Sequence, residues 1–188
     1  MSDARISTDE FLRGDETVVP RELVYGMVRD AAAPTPGHQW IVGQFFLALS
    51  LHLRPDDATG VWMAPVDVVL DPVEHLVVQP DLIVVSKDRL RIVTDRVRGA
   101  PDLVIEVLSP MVRIGGLDER LSWFAEYGVR ECWLVRQPEH EVEVIRFSGR
   151  AFESRRFFLT DEPIRSSVLP RFDLSLTRIL ESPAGETF

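Results

Sequence analysis

Residues 79–85 read QPDLIVV and residues 101–110 read PDLVIEVLSP, with a polar interval from Ser86 to Ala100 between them. Each apolar run opens on Pro-Asp and is rich in β-branched residues, the composition of a buried strand. Three acidic side chains lie in the two runs, and of these Glu106 alone is in mid-run. A charged carboxylate there costs several kcal/mol unless it is paired, so Glu106 calls for a partner such as a metal ion. Asp102 and Asp81 compete for that role. Asp102 is four residues away on the same strand, roughly 13 Å at a rise of ~3.3 Å per residue, too far to share one ion. Asp81 lies on a neighbouring strand, where a lateral spacing under ~5 Å can bring two carboxylates together. Asp81 and Glu106 are therefore the candidate metal pair, and hard oxygen donors of this kind favour Mg2+ or Mn2+. Such an ion neutralises charge on a phosphodiester and activates water. The alternative is that Asp81 and Asp102 merely cap turns after their prolines while Glu106 pairs with an arginine. Asp102 reads as a strand opener after its proline.

Ahead of this stretch, Ser7 and Glu10 have capping-box spacing for a short helix over Thr8 to Leu12. RELVYGMV, residues 21–28, is expected to form one strand carrying Glu22, and residues 31–37 a proline-rich loop. The run from His38 to Leu53 has the length of a helix and is apolar on most faces, so it is expected to be buried. After a polar turn over residues 54–60, residues 61–63 and 66–70 read as strand, and residues 75–85 as another strand that pairs with them in a hairpin.

Beyond the organising stretch, Gly115 and Gly116 form a joint before LDERLSWFAEYGV. There Leu117, Leu121, Phe124 and Tyr127 recur at helical spacing, and Gly128 is the C-terminal stop. Residues 132–135 are a buried strand, and residues 141–147 pair with residues 151–159. A last helix is expected over residues 174–180, followed by a disordered tail. In order, the middle of the chain reads helix, three strands, helix, strand. The class is α/β or α+β, a mixed β-sheet flanked by helices with an αβββαβ core, in a single domain over residues 1–188 whose core spans about 20–180.

The 188 residues are 45% hydrophobic, enough for one substantial core. No apolar run approaches the ~20 residues of a membrane span. The amino terminus lacks the features of a signal peptide, and a cytoplasmic protein is expected. The one cysteine, Cys132, has no partner for a disulfide or a Cys-rich zinc site. A net charge of −9 argues against a broad electrostatic grip on nucleic acid, leaving room only for a local basic groove. Lys87 is the only lysine, so nearly all positive charge is arginine.

Pro80-Asp81 followed by Glu106-Val107-Leu108 resembles the PD-(D/E)XK nuclease signature, and the chain is similar in particular to the Uma-two family of restriction endonucleases. RELVYG at 21–26, PGHQ at 36–39, QPDLIVV at 79–85, APDLVIEVLSP at 100–110 and YGVRECWLV at 127–135 carry the resemblance, which covers about residues 20–180. It implies a restriction-endonuclease-like fold, a metal-dependent endonuclease acting on nucleic acid, DNA first, and a homodimer. It also implies metal ligation by Asp81 and Glu106, with Glu22 and His38 as accessory residues. The lysine that relatives carry on the helix after Glu106 is Arg120 here, placed to contact the scissile phosphate. An arginine keeps the charge and can clamp phosphate, but it cannot act as a general base. The chain departs from the pattern further at Leu108, Gly116, Phe124 and Arg136. These changes support an alternative, a catalytically inactive member that serves as a protein- or nucleic-acid-binding module.

Overall fold

The computed structural model describes residues 5–14, 19–53, 59–108, 116–137 and 139–181. Its elements are α1 (Thr8–Leu12), β1 (Arg21–Val24), β2 (Met27–Asp30), α2 (Pro36–His52), β3 (Gly60–Met63), β4 (Val68–Asp71), β5 (Leu76–Val78), β6 (Leu82–Val85), β7 (Val97–Arg98), β8 (Leu103–Leu108), α3 (Leu117–Tyr127), β9 (Glu131–Arg136), β10 (Glu141–Ser148), β11 (Ala151–Leu159) and α4 (Leu176–Leu180). Ser109, Pro110, Gly115, the turn over 54–58 and the tail over 182–188 lie outside the described residues.

The strands form two sheets. One has the order β11-β10-β9-β8-β6-β3 and the other β2-β1-β5-β4-β7. Within the six-stranded sheet, α2, β3, β6, β8, α3 and β9 follow one another as helix, three strands, helix, strand, the order expected from the sequence. β8 and β9 run parallel because the chain returns through α3 between them, whereas β6 pairs antiparallel with β8.

The alternation along β8 sorts its side chains. Leu103, Ile105 and Val107 join the cluster under α2 and α4, with Phe45, Leu49 and Trp133. Val104 faces the other way, into the cluster built from Leu121 and Phe124 of α3 and from Val24, Leu76 and Val78 of the second sheet. A strand has period two, so Glu106 shares the face of Val104. On β6, Leu82 and Val84 belong to the first cluster and Ile83 to the second, so Asp81 is in phase with Ile83 and on the same side as Glu106.

Several expectations on element boundaries are corrected. Residues 21–30 form a hairpin, not a single strand, turning at Tyr25 and Gly26 with φ of 50° and 83°. Positive φ at both central residues suits the right-handed twist of a tight hairpin. The span 75–85 divides at Gln79 to Asp81: β5 pairs with β1 and β4, and β6 with β3 and β8, so the two halves lie in different sheets. Pro80 brings no N–H to a ladder, and the chain changes sheets there. The expected β4–β5 hairpin is present. α2 starts at Pro36 with Thr35 as its cap, two residues before the expected His38. The polar interval contains a 3-10 turn over Lys87–Ile92 and the short β7, which pairs parallel with β4. Among the described residues no helix is long and apolar enough to cross a membrane.

Candidate functional site

Glu106 and Asp81 meet through the β6–β8 register. Leu82 opposes Ile105, Ile83 opposes Val104 and Val84 opposes Leu103. Asp81 immediately precedes β6, and continuing that register by one residue brings it toward Glu106, on the side of the sheet that α3 covers. Asp81 is held from two directions. Its Oδ2 accepts the backbone N–H of Val107 at 2.7 Å, and its Oδ1 lies 3.1 Å from Nε2 of His38 in the first turn of α2. All three residues are nearly inaccessible, Asp81 at 8%, Glu106 at 2% and His38 at 2% exposure.

Arg120, in the second turn of α3, reaches over this pair. Its Nε and Nη2 donate to Oε1 of Glu106 at 3.1 and 2.6 Å. Its Nη1 donates to both oxygens of Glu22 at 2.8 and 2.7 Å. Glu22 belongs to β1 of the second sheet and also accepts the backbone N–H of Gln79 at 2.7 Å. The side-chain amide of Gln79 continues to Asp67 at 2.9 Å. Arg120 thus joins the two sheets by ion pairs to a carboxylate on each. Burial opposes its charge, but Glu106 and Glu22 more than offset that and raise its pKa above the ordinary arginine value. Charge-assisted bonds of this kind are the strong ones, and in a buried pair both partners depend on each other. The Phe124 ring lies under the guanidinium, 5.7 Å from its centroid.

The five residues singled out in the sequence, Glu22, His38, Asp81, Glu106 and Arg120, are therefore one contiguous cluster. Asp102 is not part of it. It lies just before β8, at the end opposite Glu106, and accepts Ser86 N–H at 2.8 Å and Arg89 Nη1 at 3.0 Å. Burial pushes its carboxyl up, but those donors outweigh burial and hold its pKa below the ordinary carboxylate value. Arg136 also stands outside, bonded to Glu143 at 2.6 Å. Cys132 is fully buried, and burial raises its thiol well above the ordinary range, which suits a core residue rather than a nucleophile.

Three partners escape a reading of the sequence: the Val107 N–H, the Gln79 N–H and the Gln79 amide. The only signal was their place beside the two Pro-Asp runs. Among the described residues no group of three or more His, Cys, Asp or Glu side chains is arranged to hold a metal ion. The carboxylates that could hold a divalent ion are Asp81 and Glu106, since Mg2+ is commonly bound through one or two carboxylates with water and substrate phosphates completing its shell.

No curated protein matches the chain significantly. A crystal structure of a "putative nuclease" from Anabaena variabilis superposes with a TM-score of 0.77 at 20% identity, covering 93% of this chain and 97% of that one. At that identity the likeness establishes a shared fold. The profile of the Uma2 family, described as "Putative restriction endonuclease", matches residues 8–177 and so takes in every residue of the cluster; the chain belongs to the Uma2 family.

Proposed function

We propose that the protein is a metal-dependent nuclease that hydrolyses phosphodiester bonds of nucleic acid, with DNA as the substrate class and Mg2+ or Mn2+ held by Asp81 and Glu106. The observation that carries this reading is the nearness of two buried carboxylates, Asp81 just before β6 accepting the N–H of Val107 next to Glu106 on β8, in a chain of a family described as "Putative restriction endonuclease". When bound, a divalent ion would neutralise charge on the phosphodiester and activate water for attack. The chain's own residues do the positioning. Val107 N–H and His38 aim Asp81, and Arg120 aims Glu106 while Glu22 aims Arg120. Arg120 is permanently charged, so its contribution is electrostatic, toward Glu106 and toward a phosphate that approaches the cluster. The proposal includes a homodimer, because cutting both strands of a duplex takes two sites; sedimentation showing a monomer under cleavage conditions would remove that part.

The test is cleavage of single-stranded DNA, duplex DNA and RNA by purified protein with Mg2+ or Mn2+. DNA should be cut, chelation should stop it, and Glu106→Ala should reduce it to background. Absence of cleavage on every substrate rejects the nuclease. A second reading is favoured by one observation: Arg120 already compensates Glu22 and Glu106, while Gly116 and Phe124 bring no charged group to the cluster. On that reading the fold is a catalytically inactive binding module. Oligonucleotide or protein binding without cleavage, unchanged in Asp81→Ala, would select it.

A further inference from the structure

We propose that Arg120 is a resident competitor of the divalent cation, occupying Glu106 so that metal loading requires the guanidinium to let go of Oε1. This rests on the assignment of Asp81 and Glu106 as metal ligands. Oε1 of Glu106 accepts two charge-assisted bonds from the same guanidinium, at 3.1 and 2.6 Å. An oxygen so engaged has little capacity left for direct coordination. A fixed positive charge at hydrogen-bond distance also opposes a second cation on the same carboxylate. Glu22 keeps Arg120 in place through a bidentate contact from the other sheet, with both side chains almost fully buried. The fork geometry of arginine makes the double grip possible. A lysine ammonium is a compact point charge on a flexible stem and cannot bridge two carboxylates in the same planar manner. Asp81 is not drawn into this grip, since its oxygens are held by His38 and the Val107 N–H.

The consequence is that Arg120→Lys frees Glu106 and tightens divalent binding. Calorimetric titration of Mn2+ into wild-type protein and Arg120→Lys, without nucleic acid, measures it directly. The variant should bind about tenfold more tightly, the scale on which outer-shell partners move metal affinity. Asp81→Ala in the Arg120→Lys background should remove the gain. Equal affinities in wild type and Arg120→Lys overturn the competition while leaving the metal site standing. No Mn2+ binding by either protein overturns the metal site itself. A measurement on the wild type covers the case in which the variant fails to fold: Mg2+ titration followed on the buried arginine Nε–H resonance by 15N NMR. That resonance should shift and exchange faster as Glu106 is released. Mg2+ binding that leaves it unmoved contradicts the proposal.

Discussion

Arg120 is a charged side chain at 6% exposure whose partners come from β1 and β8, so its removal affects both sheets. Arg120→Ala would remove a buried guanidinium shared by Glu22 and Glu106, and breaking a buried pair by deleting one partner typically costs about 3–5 kcal/mol. Urea unfolding should show a loss of that size, and a loss under ~1 kcal/mol would mean the carboxylates find other compensation. Glu106 was visible as a candidate because an acid in the middle of an apolar strand needs a partner, and Arg120 because it stands where relatives of the resembled family carry a lysine. Glu22 as the third member was not visible from spacing, because it lies 98 residues from Arg120. No local periodicity relates residues that far apart.

α3 carries the cluster's cation on a helix that ends cleanly. Gly128 caps it with φ of 95°, and an added Cβ would meet nothing within 4 Å. Gly128→Ala therefore tests conformation alone: about 1 kcal/mol of stability should be lost, read as a lower melting temperature, because the left-handed region penalises a Cβ. Mn2+ affinity should not change, and a change there would show that the end of α3 positions Arg120. The stop was legible because Gly at that spacing has a single physical use. The β1–β2 turn was not, since Tyr25 takes φ of 50°, a conformation rare for a residue with a side chain, and Gly26 is the single turn-forming residue in an otherwise strand-forming run. The division of residues 75–85 between two sheets was hidden for a related reason. Pro80 signals a break in a ladder, but not that the chain then joins a different one.

At the scale of the molecule, two sheets share one apolar cluster beneath α3, and α2 and α4 cover the other side of the six-stranded sheet. Asp102 tightens this arrangement by linking the end of β6 to the start of β8 through Ser86 and Arg89. Its folded pKa is depressed, so its contribution is full above the unfolded carboxylate value of about 3.9 and is lost as pH falls through the lower folded value. Wild-type protein should lose more stability than Asp102→Asn between about pH 5 and pH 2, as followed by urea midpoints. Parallel curves would show that the clamp contributes nothing. The apolar periodicities of β6, β8, β9 and α3, and the mid-strand place of Glu106, belong to the sequence, because period two and period 3.6 are local properties of the backbone. The order of the αβββαβ core followed from them. The tertiary structure alone decided that the strands divide between two sheets, that Glu22 and Glu106 converge on Arg120, and that Asp81 turns to His38 and the Val107 N–H. These are contacts between segments far apart in the chain, set by how layers pack and by the need of each buried charge for a partner.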